Sequence, residues 1–153
     1  MNQPLIPLWE ELPSLDLYLD QVLLYINQIN QQVFSLRDKP LTAAMINNYV
    51  KHGYLQKPLK KKYSRTQLAR LLALTTLKTV FPITDIAETI ELLLQTRPSQ
   101  ELYDEFARCI NQQAIHTTHP AIQSACETVQ LFHQTRRISL HLKGGTHETS
   151  SQT

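Results

Sequence analysis

Residues 41–83 read LTAAMINNYVKHGYLQKPLKKKYSRTQLARLLALTTLKTVFPI, and this stretch decides the fold. Thr42 is a helix N-cap residue. Stepping the following residues at about 100° puts Ala43, Ile46, Val50 and Gly53 on one side of a helix over 43–52, with Gly53 as its stop. Residues 54–63 contain Pro58 and are too short for another helix, so they predict a small β-hairpin or wing. Ser64-Arg-Thr-Gln67 is a capping-box signature. It opens a helix to about Thr79, with Leu68, Leu71, Leu72, Thr75 and Leu77 inward, and Pro82 breaks it.

The same stretch holds most of the charge. Ten of the fifteen Lys and Arg residues lie between Arg37 and Lys78, and Asp38 is the one acid among them. The chain as a whole carries +2, so ten cations and one carboxylate concentrate a local charge of about +9, which points to a polyanion as partner. On the helix over 43–52, the face opposite the apolar one is Ala44, Asn47, Asn48, Lys51 and His52, without a carboxylate. Asn pairs bidentately with adenine, Lys reaches guanine or phosphate, and Ala44 is small enough for close approach to a groove floor. Lys57-Pro-Leu-Lys60-Lys61-Lys62-Tyr63 then gathers four ammonium groups at the wing. They repel one another in the fold, but each releases counterions when it neutralises a phosphate. Arg65 stands in the first turn of a helix, where the macrodipole disfavours a cation. That penalty is offset if Arg65 and the free N–H groups share a phosphate.

The expected DNA-contacting set is therefore Thr42, Ala44, Asn47, Asn48 and Lys51 on the helix. Lys60, Lys61, Lys62, Tyr63 (through its hydroxyl) and Arg65 complete it on the phosphates. The bland alternative is a solvated helix surface and a lysine-rich loop kept for solubility. Ile46, Tyr49, Val50, Leu68, Leu71 and Leu72 are the expected core.

Outward from this centre, residues 1–13 form a Pro-rich extended arm with Trp9 as its anchor. Ser14 caps a long helix over about 15–35, whose stripe is Leu15, Leu19, Val22, Leu23, Ile26, Ile29 and Val33. Ser35–Pro40 is a linker. A helix from Thr84 to about Thr96 follows Pro82. Beyond Pro98, a stripe of Leu102, Tyr103, Phe106, Cys109 and Ile110 predicts a helix over 99–115. Pro120 stands in the first turn of a last helix with Ile122, Ala125, Cys126, Val129 and Phe132 on one face. Ile138-Ser-Leu-His-Leu142 alternates like a strand or is simply a tail. The chain divides into an arm (1–13), a DNA-binding region (14–97), a C-terminal helical region (98–142) and a flexible polar tail (143–153). The fold class is mainly α with a small β wing. Phe106, Ile110, Val129 and Phe132 serve either an intramolecular helical hairpin or a homodimer interface.

Other functions lack their residues. No run of eighteen apolar residues exists and the N-terminus has no signal-peptide pattern, so no membrane association is expected. Cys109 and Cys126, without a CxxC, read as buried thiols of a reducing, cytoplasmic compartment. Glu10-Glu11 and Glu101 with Asp104-Glu105 are exposed helix ends and faces. There is no Gly-rich phosphate loop and no Gly-x-Ser-x-Gly, so no catalytic residue is assigned and an enzyme is not expected. His116 and His119 with the two cysteines fit no zinc-finger spacing, so neither a metal nor a cofactor is assigned. No residue specifies an effector.

Leu41-Thr42, Ile46-Asn-Asn-Tyr49-Val-Lys-His-Gly53-Tyr-Leu55, Lys61-Lys-Tyr63-Ser64 and Leu68-Ala-Arg-Leu71 together resemble the MerR-type winged helix-turn-helix, over about 41–94. Asn47 and Lys61 stand where that family carries arginines. More closely, Trp9-Glu-Glu-Leu-Pro13, Asp16-Leu-Tyr18-Leu-Asp20-Gln-Val22, Met45-Ile-Asn-Asn-Tyr-Val-Lys51 and Lys60-Lys-Lys-Tyr-Ser-Arg65 resemble the bacterial "domain of unknown function 1836" family. The resemblance implies a cytoplasmic bacterial protein with a MerR-like DNA-binding region and names no biochemical activity. The resulting expectation is a transcriptional regulator that binds double-stranded DNA, possible as a homodimer through its C-terminal helices. The competing expectation is a protein-interaction adaptor that keeps the scaffold without sequence-specific readout.

Overall fold

The computed structural model of the protein describes residues 5–34 and 39–151, with side chains as far as residue 144. A 3-10 turn, Trp9–Glu11, is followed by β1 (Leu17–Tyr18), α1 (Leu19–Phe34), α2 (Ala43–Lys51), β2 (Lys62–Tyr63), α3 (Arg65–Leu77), α4 (Ile83–Leu94), α5 (Ser99–Ile110) and α6 (Pro120–Ser151). The architecture is mainly helical with one two-stranded antiparallel sheet.

α3 is the axis. Nine of its thirteen residues are buried, and a helix apolar on most of its surface has to be covered from several sides. α1, α4, α5 and α6 do this. α1 lays Val22, Ile26 and Ile29 inward, and its buried Asn30 donates from Nδ2 to Thr75 Oγ1 at 3.1 Å. That hydroxyl in turn donates to the Leu71 carbonyl at 2.8 Å, so the Asn30 amide nitrogen is paired where the two helices meet, while its Oδ1 is buried without a partner among the described residues.

Several boundaries differ from the sequence reading. The long helix starts at Leu19, not near 15, and Ser14 is not its cap. Residues 17–18 are instead drawn out as β1, pairing Leu17 with Tyr63 and Tyr18 with Lys62, and Leu15 stays 79% exposed. Residues 35–38, most of the expected linker, lie outside the described residues. Beyond them, the Asn27 side chain clamps the Leu41 backbone, accepting its N–H at 2.8 Å and donating to its carbonyl at 2.9 Å. α5 ends at Ile110 rather than 115, because Asn111 turns aside to bond both backbone groups of Ile6 and Gln112 adopts a φ of +60°. α6 runs through 138–142 and through Gly144-Gly145 to Ser151. The alternation in Ile138–Leu142 is thus helical, and the expected tail is helical to that point. A five-residue alternation is too short to exclude a helix.

Residues 1–4 of the expected arm lie outside the described residues; from residue 5 it packs against α5 and turns as a 3-10 helix at Trp9–Glu11. The Trp9 ring lies tilted on Tyr103 with centroids 6.3 Å apart, and the Trp9 backbone N–H donates to Asp104 Oδ1 at 2.8 Å. The Tyr103 hydroxyl donates to the Pro7 carbonyl at 2.6 Å. Phe106, Ile110, Ile122, Cys126 and Val129 are buried between α5 and α6, so these two form an intramolecular hairpin. Both cysteines are free and buried there, and burial raises their thiol pKa values. Among the described residues no helix is long and apolar enough to cross a membrane.

Candidate nucleic-acid interface

α2 is short and depends on its caps. Thr42 Oγ1 accepts the Met45 N–H at 3.2 Å. At the other end Gly53 takes φ +79° and the Tyr54 N–H bonds the Tyr49 carbonyl at 2.9 Å, the left-handed close that glycine permits. Ile46 and Tyr49 are buried, while Thr42, Ala44, Asn47, Asn48 and Lys51 are all exposed. The structure therefore gathers Ala44, Asn47, Asn48 and Lys51 on the open side of one helix, with Thr42 exposed at its N-cap. His52 belongs to its C-terminal end, stacked on Tyr54 at 5.6 Å with Nδ1 2.9 Å from the Asn48 carbonyl.

The lysine-rich hairpin is tighter than expected and built differently. Leu59 and Lys62 exchange N–H and carbonyl groups at 3.0 Å each, leaving Lys60 and Lys61 as a two-residue turn. Their φ angles are +52° and +68°. Two-residue hairpins with both residues left-handed usually carry Asn-Gly, and a side chain with a Cβ costs about 1–2 kcal/mol in that conformation. This chain puts a lysine at both positions. β2 finds its strand partner in β1 rather than in residues 54–58. Lys62 is half-buried with Nζ 5.1 Å above the Tyr18 ring.

Gln67 ties the hairpin to α3. Its Oε1 accepts the Ser64 N–H at 2.7 Å, as the capping-box signature requires. Its Nε2 donates to the carbonyls of Gln56 and Lys57 at 2.8 and 3.0 Å. The helix that starts at Ser64 thereby fixes the base of the turn that precedes it. The sequence showed the first of these roles and not the second.

Two residues of the expected set are not on the open face. Tyr63 is 3% exposed and packs in the core, where burial raises its hydroxyl pKa, so the hydroxyl is not offered to a phosphate. Arg65 points back to the arm. Its Nη2 donates to the Leu12 carbonyl at 3.0 Å, and Nη1 is 3.9 Å from Glu10 Oε2.

The basic window thus splits in two. Arg65, Arg70 and Lys78 are held by the fold. Arg70 donates from Nε to the Tyr54 carbonyl at 2.9 Å and from Nη2 to Glu91 at 2.8 Å. Lys78 lies 3.1 Å from the Tyr49 hydroxyl, and burial, then Lys39, lowers its pKa. Lys39, Lys51, Lys57, Lys60 and Lys61 are exposed and ion-pair with none of the described residues. Arg37 and Asp38 lie outside the described residues.

The family model for Domain of unknown function (DUF1836) matches residues 7–106, from the arm to Phe106 of α5. The chain belongs to this family. No curated protein and no solved structure matches it. The DUF1836 match includes the whole open face of α2, the two-lysine turn and the arm that holds Arg65. α6 lies beyond it. Among the described residues of this DUF1836 protein, no three His, Cys, Asp or Glu side chains converge as a metal site would need.

Proposed function

We propose that this DUF1836 protein binds double-stranded DNA through a MerR-like winged helix-turn-helix and acts as a transcriptional regulator. The observation that carries this reading is the exposed, carboxylate-free face of α2 followed by a strained turn whose two residues are both lysine. A fold that only needed the turn would do better with Asn-Gly. Keeping two cations in a costly conformation fits a site where their charge is used. The order β1, α1, α2, hairpin, α3 supports the winged-helix reading.

In this reading Ala44, Asn47, Asn48 and Lys51 face the major groove, with Thr42 at the phosphate-facing start of α2. Lys57, Lys60, Lys61 and Lys62 hold phosphates, with Lys57 taking up the role that buried Tyr63 and inward-turned Arg65 do not fill. The exposed cations of the described basic window are lysines, while Arg65 and Arg70 are occupied in the fold. Lysine is a point charge without the guanidinium fork that reads guanine bidentately. Affinity then comes mainly from the backbone, and base discrimination rests on Asn47 and Asn48. Leu131 and Ile138 on α6 are 61% and 54% exposed and seven residues apart. They form an apolar line on which a second copy would dimerise and bring two half-sites into reach.

Fluorescence anisotropy of the protein against its own promoter duplex and a scrambled duplex, across a salt series, tests this. Four to six phosphate contacts give a log–log salt slope of roughly −3.6 to −5.4. Promoter binding well above scrambled supports a regulator. Equal binding to both leaves a nonspecific basic surface. Absence of binding at low salt refutes the DNA reading and favours a protein-interaction adaptor using the same face.

A further inference from the structure

A cavity on another part of the molecule, among the described residues, is lined mostly by apolar side chains. A cleft of about 470 Å³ is lined by α3, α4, α5 and α6, together with residues 53–56 between α2 and the hairpin. Its origin is a set of small side chains that the assembled helices bring together. α3 presents Ala69 and Ala73 to it and α6 presents Ala121 and Ala125, each pair one helical turn apart. Methyl groups stand where leucines would close the gap. α4 buries only Ile86 and Ala87 and leaves Ile90, Leu93 and Leu94 part-buried along the opening. Protein interiors are normally filled to crystal-like density, so an apolar cleft of this size between four helices calls for an occupant.

We propose that this cleft is a binding site for a neutral apolar small molecule. The volume lies within the roughly 300–1,000 Å³ typical of small-ligand sites. Walls contributed by four helices surround a compact molecule rather than one face of a partner helix. The lining surface is mainly apolar, with Leu102 and Phe106 among its residues and hydroxyls such as Thr89 and Thr128 as uncharged polar members. Its charged members are Arg70, Asp85 and Glu91. Arg70 is already bonded to Glu91 and to the Tyr54 carbonyl, which leaves the Asp85 carboxylate to repel an acidic ligand. A bound molecule would touch the segment that joins α2 to the hairpin. The site itself does not depend on the DNA-binding reading.

The test is titration with N-phenyl-1-naphthylamine, an uncharged probe that fluoresces in apolar surroundings. The expected result is saturable one-to-one enhancement, with energy transfer from Trp9, which is the single tryptophan and packs on the cleft-lining Tyr103. Ala73→Phe and Ala125→Phe, which fill the space, should each weaken the probe at least tenfold while circular dichroism shows an intact helical signal. If one of the two fails to fold, the other decides. Leu131→Ser/Ile138→Ser, on the exposed line of α6, should bind the probe as wild type does. The anionic 8-anilinonaphthalene-1-sulfonate should bind at least tenfold more weakly than the neutral probe. Lack of saturable enhancement overturns the site. So does enhancement that survives both filling substitutions or is lost in the α6 variant. Tighter binding of the sulfonate overturns the assignment of a neutral ligand.

Discussion

Arg65, Arg70 and Lys78 on one side, and Lys51, Lys57, Lys60 and Lys61 on the other, come from the same basic stretch and do opposite work. The first three reach inward to backbone carbonyls, a carboxylate and a phenol. The second four are exposed. Charge density in a sequence counts cations without saying which are available, and here the fold takes both described arginines of the window for itself. The contrast is broken most directly at the hairpin. Lys60/Lys61/Lys62→Ala should weaken duplex binding on the order of a hundredfold near 0.1 M salt and flatten the salt slope by about 2.7, three contacts at 0.9 each. The urea midpoint should stay close to wild type. A triple variant that binds DNA with an unchanged slope removes the hairpin from the interface.

The held set makes the converse prediction. Arg70→Ala strands the Tyr54 carbonyl and releases Glu91, so it should cost about 2 kcal/mol in urea unfolding, in the range of hydrogen bonds to charged groups. Loss of duplex affinity without loss of stability would move Arg70 into the free set. A third variant sets the two properties against each other. Lys60→Asn/Lys61→Gly supplies the residues that a left-handed two-residue turn prefers and should stabilise the fold by about 1 kcal/mol. The same change should flatten the salt slope by about 1.8. If stability does not rise, the turn is not held in the left-handed conformation and its strain is no support for function.

Local signals in the sequence were reliable where the cause was local. Thr42 and Gly53 bound α2, the Ser64–Gln67 box starts α3, and Pro82, Pro98 and Pro120 each stand at a helix start. The exposed face of α2 followed from its 3.6-residue period. What could not be read depends on partners distant in the chain. β1 exists because Leu17 and Tyr18 meet residues 62–63, some forty-five positions on, and two residues carry too little pattern to announce a strand. Arg65 was expected on a phosphate because its own helix gives it no partner. The Leu12 carbonyl that receives it lies fifty-three residues earlier. The early end of α5 has the same kind of cause, since Asn111 is claimed by Ile6 across 105 residues. The cleft was invisible for a related reason, because alanine is an ordinary helix former and only the assembled helices show that four of them share one space.

His133 adds a third kind of ionisable group to the comparison, one that the fold keeps neutral. It lies on α6, 5% exposed, stacked on Phe34 with centroids 5.0 Å apart, and Phe132 approaches its edge at 5.3 Å. Its Nε2 is buried without a hydrogen-bond partner among the described residues. Burial lowers its pKa, and Arg137 and Arg136 lower it further. The folded state therefore binds this proton less readily than the unfolded chain does. The contribution to stability is complete above the unfolded value of about 6.5, and it is lost as the pH falls below that value and through the folded one. Urea midpoints measured at pH 7.5 and pH 5.5 should show the decline in the wild type. His133→Phe keeps an aromatic ring against Phe34 and removes the titration, so its decline should be the smaller of the two. An equal decline in both proteins would assign the pH dependence to the other histidines and leave His133 as packing alone.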